Sequence, residues 1–358
     1  METGLLRSGL GFRQATVKVR LAASCAALLL LLLIVAMVSM TMGPVSILVS
    51  HVAGIMLASF GLDALPYTRT EELVIEQIRL PRILTGMLVG AALGVAGTTM
   101  QGLFRNPMAD PGIIGVSAGA AAGAVLSIAL GLHSVTLLAV PAFAFLGAMT
   151  TALVVYSIAS VGGRVDMATL LLAGVAMNSF LGAIISAVII MVPRNDSLRE
   201  ILFWLAGGLD ARSWEHVSIA AAPIAAGIAA IVVLSRDLNL LMIGDEDAQS
   251  LGVRVAIVRP VLLAAACLVT GVAVAVSGTI AFVGLVVPHM LRIVFGPDHR
   301  VLVPVSAIGG ALFVVAADTI ARTIISPAEL RVGILTSFLG APFFLFLLVR
   351  NRKQARAF

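Results

Sequence analysis

The most constraining feature of this sequence is a series of apolar runs, each about 20 residues long, that recur along the whole chain. A run of that length matches an α-helix that crosses the roughly 30 Å hydrocarbon core of a bilayer. Only 11% of the residues are charged, against about 25% in soluble globular domains. The chain therefore has too little polar surface for a water-soluble globule, and lipid is its expected solvent.

Ten runs predict about ten transmembrane helices in one all-α transmembrane domain, residues 1–358. The predicted spans are 21–41, 82–104, 113–131, 136–159, 167–192, 216–234, 260–278, 279–295, 301–320 and 332–350. The run from Leu21 to Met40 is longer than the roughly 7–15 apolar residues of a signal peptide. It is therefore interpreted as a retained first helix.

Two places depart from a simple series of spans. The seventh and eighth spans meet at Ser277 and Gly278, which leaves a re-entrant or broken helix as an alternative. The apolar segment 45–62 contains His51 and lies between a proline and an aspartate. For that segment we expect an interfacial helix or a packed loop, because a complete span would carry the histidine into the bilayer.

The positions of lysine and arginine orient the predicted spans, because these residues are enriched in cytoplasmic loops. An even number of spans places both termini on one side. Fifteen of the 23 lysine and arginine residues then fall on that side and eight on the other. This bias predicts a cytoplasmic N-terminal segment 1–20 and a cytoplasmic C-terminal tail 351–358. The opposite side still carries more arginine than orientation requires.

Glycines recur at four-residue spacing in the second and third predicted spans. They are Gly86, Gly90, Gly94, Gly115, Gly119 and Gly123. Such spacing puts small residues on one face of a helix, where two backbones can approach closely. Close helix packing is the favoured interpretation, and a glycine-lined permeation path is the alternative.

The sequence offers no set of residues typical of an enzyme active site. It contains no phosphate-binding loop, zinc-protease motif or nucleophile elbow. Asp318 is the only carboxylate deep in a predicted span, which is too few for a proton relay. We expect it to be hydrogen-bonded near the end of its helix. The chain is therefore predicted to be non-catalytic, with no metal or cofactor of its own, and uphill transport would need energy from another subunit.

Several motifs interrupt or border the apolar runs. In chain order they are RLPR, MQGLFRNPMADPGIIGVSAGA, LLLAGVA, DLNLLMIGDEDAQSLGV, FVGLVVPHMLR, DHR and ELRVGILTSFLGAPFFL. Through these motifs, from about Arg79 to Arg350, the chain resembles the permease subunits of bacterial ABC importers for vitamin B12, ferric siderophores and haem.

The resemblance implies a vitamin-B12-importer-like permease fold in the bacterial inner membrane. Two ten-helix subunits would form a homodimer with the transport path on its twofold axis. Two separate ATPase subunits, which use ATP and Mg, would dock on the cytoplasmic loop between spans six and seven. A periplasmic substrate-binding protein would dock on the other side. The net charge of +5 belongs to short loops and termini, so no nucleic-acid partner is expected.

In such permeases the loop between spans six and seven is the coupling element, which here lies at about 236–258. The run Asp245 to Asp247 fits the first turn of a short helix, and Gly252 fits its C-terminal end. The predicted coupling residues are Leu240, Leu241, Gly244, Asp245, Glu246, Ala248, Leu251 and Gly252. Leucines 240, 241 and 251, with Met242, would form an apolar face to bury in the ATPase, and a solvated charged loop is the alternative.

The resemblance also suggests a role for the surplus arginines. In the vitamin B12 relative, glutamates of the binding protein dock onto arginines that match Arg79, Arg82 and Arg322. Charge pairs at such a rim steer encounter and set register more than they add affinity. The alternative is that local carboxylates such as Glu76 or Glu329 hold these arginines.

By the same resemblance the inner gate is expected at Asn106 and Met108. Met167 and Ala168 match a second gating pair, where the vitamin B12 relative has small hydroxyl residues. This departure makes the lining more apolar and favours a flat apolar ligand. The predicted cargo is an iron chelate, with haem ahead of siderophores and vitamin B12. An ion-coupled secondary transporter is the alternative from another class.

Overall fold

The computed structural model describes residues 2–43, 45–59, 61–62, 65–161, 164–192, 195–326 and 328–355, and most of them are helical. The helices are α1 (Glu2–Thr41), α2 (Val49–Ala58), α3 (Arg69–Leu73), α4 (Leu80–Leu103), α5 (Val116–Ala129), α6 (Ala139–Ala159), α7 (Met167–Met191), α8 (Asn195–Leu205), α9 (Trp214–Val233), α10 (Ser235–Leu241), α11 (Asp245–Ser250), α12 (Val255–Ser277), α13 (Val283–Phe295), α14 (His299–Thr323) and α15 (Val332–Ala355).

Short irregular elements connect some of these helices. A π-helical turn, Val74–Arg79, leads directly into α4, and 3₁₀ turns at Pro111–Ile114 and Leu132–Ser134 precede α5 and α6. The segments Ser160–Val161 (β1) and Arg164–Val165 (β2) pair in antiparallel register between α6 and α7.

The ten predicted spans coincide with ten of the helices. Within the described residues, seven helices are long and apolar enough to cross a bilayer: α1 from Leu21 onward, α4 with its preceding turns, α6, α7, α9, α12 and α14. The other three predicted spans correspond to the shorter apolar helices α5, α13 and the first part of α15, Val332–Phe346. The predicted all-α membrane fold with about ten apolar helices is therefore confirmed.

Both termini of the described chain are helical. The predicted N-terminal segment 1–20 belongs to α1 from Glu2 onward, so this helix extends well beyond the 21 residues of its span. The predicted tail 351–358 begins inside α15, which continues to Ala355. The last three residues lie outside the described part of the chain.

The glycine stripe of the second span packs α4 against α14. A Cβ atom added at Gly90 would collide with the backbone of Gly310, and one added at Gly94 would collide with the carbonyl oxygen of Ser306. Residue numbers increase along α4 while those of the contacted residues on α14 decrease, so the two helices are antiparallel. Only a residue without a side chain permits this approach. The packing interpretation of this stripe is confirmed.

The second glycine stripe packs α5 against α6 in the same way. A Cβ atom at Gly119 would collide with the backbone of Gly147, and one at Gly123 with the backbone of Phe143. Gly115 sits at the N-terminal cap of α5 with a φ of 90°, a left-handed conformation that glycine adopts readily. The glycines of this stripe therefore serve helix packing within the protomer.

The chain between the seventh and eighth spans is broken. The first helix, α12, ends at Ser277, and Gly278 then turns away with a φ of 68°. The next helix, α13, begins after Phe282 and has 13 residues, a length of about 20 Å that falls short of the bilayer core. The broken-helix alternative for this junction is therefore confirmed.

The first two helices cover one side of α14. Leu32, Ala36 and Met40 of α1 form an apolar cluster with Ala311 and Val315 of α14. The ten-residue helix α2 joins the same cluster and is far too short to span a bilayer. Segment 45–62 thus contains a short helix, in agreement with the helical one of the two expected alternatives.

Large apolar side chains remain exposed on α7 and α15. Leu172 and Ile190 of α7 are 72% and 84% exposed, and Phe338 of α15 is 76% exposed. These faces have no partner among the described residues of the protomer, so lipid or another subunit must cover them.

The end that carries α10 and α11 is called the loop face, and α4 ends there. The other end, where α4 begins and α14 ends, is called the opposite face.

Candidate functional site

The segment between α9 and α12 forms two short helices, α10 and α11, at the loop face. The first turn of α11 is acidic, with Asp245, Glu246 and Asp247. Negative side chains are favourable there because the helix N-terminus carries partial positive charge. The predicted first turn is therefore confirmed.

Gly252 ends α11 as predicted. Its φ is 90°, its N–H donates to the carbonyl of Gln249 at 2.9 Å, and the N–H of Val253 donates to the carbonyl of Ala248 at 2.9 Å. This pair of bonds is a Schellman motif, in which glycine supplies the left-handed residue.

The structure divides the predicted apolar residues of this loop into two groups. Leu241 and Ala248 are 1% and 0% exposed and belong to the main core, and Leu240 is partly buried against that core. The expectation that Leu241 presents a docking surface is therefore wrong, because its side chain already packs inside the protomer.

The exposed apolar surface of the loop is formed by other side chains. Ile243 is 61% exposed, Leu251 is 59% exposed and Met242 is 38% exposed. Ile243 was not among the predicted contacts, although it lies directly between Met242 and Gly244. Because Leu241 and Ala248 point inward, the intervening turn directs Ile243 outward.

Asp245 ties the loop to two of the central helices. Its carboxylate accepts a hydrogen bond from Arg105, just after α4, at 2.8 Å, and two from Arg259 of α12 at 2.7 and 2.5 Å. Hydrogen bonding from Arg259, with added attraction from Arg105, holds the pKa of Asp245 below its usual range. The carboxylate is thus charged near neutral pH and clamps the start of α11.

A second polar link fastens α10 to the start of α14. Asn239 donates to Asp298 at 2.7 Å and accepts from the backbone N–H of His299 at 2.9 Å. Although burial of Asp298 raises its pKa, hydrogen bonds from Arg300 and Asn239 outweigh it and lower that pKa to about 2. The loop is therefore fastened by hydrogen bonds to the end of α4, to α12 and to the start of α14.

The predicted gate residues Asn106 and Met108 lie in the turn after α4. The side-chain oxygen of Asn106 accepts the backbone N–H of Met108 at 2.9 Å, a local turn typical of asparagine. Asn106 is exposed and Met108 is half-buried. They follow Arg105 directly, so the turn that carries them is joined to the coupling loop.

A cavity of about 610 Å³ opens at the loop face beside this turn. It is lined by Leu103, Phe104 and Arg105 of the α4 end, by Val165 to Met167, by Gly244 to Asp247, and by Arg259. Of the four predicted gate residues, Met167 lines this cavity, while Ala168 is exposed at the first turn of α7. The structure therefore brings Met167 together with the coupling loop.

The three predicted docking arginines are buried at the opposite face. Arg79, Arg82 and Arg322 are 4%, 8% and 3% exposed. Arg79 donates to the carbonyls of Met40 and Val45, which lie at and beyond the end of α1. A guanidinium whose N–H groups are already bonded inside the protomer is not free for a partner's carboxylate. Their burial and internal bonds argue against an exposed rim, and their docking to a binding protein stays a prediction.

Arg82 and Arg322 have internal partners as well. Arg82 contacts both oxygens of Asp318 and also Glu329 at 2.9 Å, and Arg322 donates to Ser39 of α1. The alternative in which Glu329 holds an arginine is confirmed for Arg82. Asp318 is hydrogen-bonded near the end of its helix, as expected.

Sequence reasoning missed a cavity at the opposite face. Arg199 and Arg331 lie 5.2 and 4.4 Å from the centre of the Phe203 ring, within the range of cation–π attraction. These residues line two adjoining cavities of about 440 and 640 Å³, together with Asp210. No signal in the sequence pairs these residues, since Arg331 and Phe203 are far apart along the chain.

Comparison with known proteins identifies the family. The model of the FecCD transport family matches residues 30–350, nearly the whole chain. The chain belongs to the FecCD transport family. Members of this family are membrane permeases of ABC importers, in which partner ATPases hydrolyse ATP.

Individual relatives agree with this assignment. The chain is 48% identical over 284 residues to the cobalamin import system permease protein BtuC of Halobacterium salinarum, covering 79% of this chain and 75% of that protein. It is 44% identical over 280 residues to the hemin transport system permease protein HmuU of Yersinia pestis, covering 77% and 83%.

A solved structure shares the fold of the whole bundle. It is a metal-chelate-type ABC transporter in an inward-facing conformation, 32% identical, with a TM-score of 0.79. The match covers 91% of this chain and 98% of that chain. The helical bundle of this chain therefore has the fold of a known ABC transporter permease.

Proposed function

We propose that this chain is the permease subunit of an ATP-driven importer that carries haem from the periplasm to the cytoplasm. The loop face would lie in the cytoplasm, in keeping with the excess of lysine and arginine that the sequence places on that side. The termini would both be cytoplasmic. Two copies would form a homodimer, with the exposed apolar faces of α7 and α15 available to contact the second copy or lipid.

One observation carries the importer proposal. Ile243 and Leu251 are exposed apolar side chains on a short helical loop whose base is held by Asp245 and Asn239. An apolar surface on a loop that is already held by hydrogen bonds suits a protein partner, because less conformational entropy is lost when it binds. We assign this surface to the ATPase subunit, which uses ATP and Mg.

The rival from another class, an ion-coupled transporter, needs a carboxylate inside the membrane that can gain and lose a proton. Asp318 is the carboxylate deep in a predicted span, and it is held by two nitrogens of Arg82. Both oxygens of this carboxylate are therefore already engaged by a cation within the protomer. This favours an external source of energy over a proton relay in this chain.

The choice of haem rests on Met167 and Ala168, which are apolar residues at the predicted gate, although charged residues form much of the adjacent cavity lining. Met167 is half-buried in the cavity at the loop face beside Leu103 and Phe104. Cobalamin is the named cargo of one relative and hemin that of another, and both are metal-bound tetrapyrrole-type macrocycles. Cobalamin and a ferric siderophore are therefore the alternatives that a cargo experiment must include.

The experiment is to purify the chain with its ATPase and binding protein and to reconstitute them in lipid vesicles. The rate of ATP hydrolysis is then measured with the binding protein and haem, cobalamin or a ferric siderophore. We expect a stable ATPase partner and the largest stimulation with haem. Larger stimulation by either other cargo would overturn the choice of haem, and failure of any ATPase to co-purify would overturn the importer proposal.

A further inference from the structure

The helix α4 ends with an unusual backbone conformation at Arg105. The N–H of Arg105 donates to the carbonyl of Gly102 at 3.2 Å, and the N–H of Asn106 donates to that of Gln101 at 3.1 Å. These bonds form a Schellman motif, whose left-handed position is normally glycine or asparagine. Arg105 occupies it with a φ of 49°. Its Cβ makes that conformation unfavourable, so its side chain should supply something that glycine would not.

The side chain of Arg105 reaches across to the coupling loop. Its Nε donates to the carbonyl of Leu241, the last residue of α10, at 3.0 Å, and its Nη2 donates to Asp245, the first residue of α11, at 2.8 Å. A single guanidinium thus joins both ends of the connection between α10 and α11. Lysine has one compact donor group and lacks this planar fork.

Asp245 passes this link on to a second central helix. Its carboxylate also accepts hydrogen bonds from both terminal nitrogens of Arg259 in α12. Arg259 is nearly buried, whereas Arg105 and Asp245 are each 41% exposed. An ion pair of that exposure contributes little to stability. The ion pair between Arg105 and Asp245 is therefore expected to matter more for the position of the loop than for the stability of the fold.

The position of Arg105 in the chain suggests a role in moving the predicted gate. Arg105 is the last residue before Asn106, and the predicted gate residue Met108 follows two positions later. A movement of α11 that shifts Asp245 would pull on Arg105 and, through one peptide bond, on the turn that carries the gate residues. The cavity of about 610 Å³ beside this contact leaves room for such a movement.

We propose that Arg105 is a positioning residue that couples the loop bound by the ATPase to the gate, acting through its bridge to Asp245 and Leu241. The proposal rests on the proposed function, since it requires an ATPase on the loop. At position 105 a left-handed backbone is combined with a guanidinium that makes both contacts.

The substitution Arg105→Gly separates this role from a structural one. Glycine is the preferred residue for the Schellman motif, so the variant should fold, bind the ATPase and melt at the wild-type temperature or above. We expect the amount of cargo moved per ATP hydrolysed to fall about 5-fold or more, which is the lower end of typical coupling between sites. A structural role alone would leave that ratio unchanged.

Two further variants complete the test. Asp245→Asn removes the acceptor charge with little change in shape and should lower the same ratio. Arg69→Ala removes an exposed arginine of the opposite face whose partner is Glu72, and it should leave the ratio unchanged.

The outcomes keep this inference apart from the proposed function. If the wild-type complex shows no cargo transport driven by ATP, the proposed function fails. If the wild type is coupled and Arg105→Gly stays within about twofold of its ratio, below the usual range of coupling, only the role of Arg105 fails. Loss of folding in Arg105→Gly would also contradict the inference, because it would show that the guanidinium is needed for structure.

Discussion

Arg82 of α4 and Asp318 of α14 form a two-pronged ion pair inside the protomer, with Nε to Oδ2 at 2.9 Å and Nη2 to Oδ1 at 2.8 Å. The two side chains are 10% and 3% exposed. The pair joins two helices whose backbones already touch through Gly90 and Gly310. Arginines that the sequence places as a surplus at the opposite face therefore serve, in part, to neutralise charge within the bundle.

Asp318→Asn tests this pairing. The substitution leaves a buried guanidinium without its main counter-charge, and loss of one partner from a buried pair costs about 3–5 kcal/mol. We expect a clear drop in the thermal unfolding temperature of the purified protein in detergent. The double variant Arg82→Met with Asp318→Leu removes both charges and should recover much of the loss. A double variant as unstable as the single one would contradict the interpretation.

Arg79→Glu distinguishes an internal role from direct docking. Arg79 is buried and donates to the carbonyls of Met40 and Val45, so a carboxylate there would face two acceptors without a donor. We expect lower thermal stability, with weaker binding-protein docking only as a consequence. Arg69→Glu is the matched control, because its side chain is 73% exposed. Normal stability with selective loss of docking in Arg79→Glu would reinstate the docking role.

The sequence predicts local features of this fold well. Runs of about 20 apolar residues locate the spans because the bilayer sets their length. The acidic turn from Asp245 and the glycine at 252 locate α11 because helix ends have residue preferences. These signals are contained within a few neighbouring residues, so no tertiary information is needed.

Features that depend on distant contacts could not be predicted. Arg82 and Asp318 are 236 positions apart, and their pairing follows only once α4 and α14 are known to be antiparallel neighbours. The burial of Leu241 depends on how α10 rests on the core. Arg105 has a left-handed backbone conformation at a position where glycine is usual, so the sequence pattern would not predict the end of α4 there.

Gly97→Ala tests the packing of α4 against α13. A Cβ atom at position 97 would collide with the backbone of Gly284, and overpacking of this kind costs about 1–3 kcal/mol. We expect a lower unfolding temperature. Gly182→Ala on α7 is the control, since a Cβ there meets nothing within 4 Å. Equal changes in unfolding temperature for the two substitutions would show that the close approach of α4 and α13 does not contribute to stability.

Leu251→Asp and Leu241→Asp separate docking from folding in the coupling loop. Leu251 is exposed and Leu241 is buried. We expect Leu251→Asp to fold normally but to reduce the affinity for the ATPase at least about tenfold, equivalent to 1.4 kcal/mol. Leu241→Asp should lower the stability of the permease itself. Affinity is measured by titration of the ATPase onto the purified permease, and unchanged affinity in Leu251→Asp would refute the docking surface.

The most direct test of the central claim is uptake of cargo into vesicles that contain the permease. Cargo-loaded binding protein is added outside, and vesicles are prepared with the ATPase and internal ATP, or with a proton gradient and no ATPase. An importer permease predicts accumulation with ATPase and ATP and none with the gradient alone. Accumulation driven by the gradient in the absence of the ATPase would contradict this account.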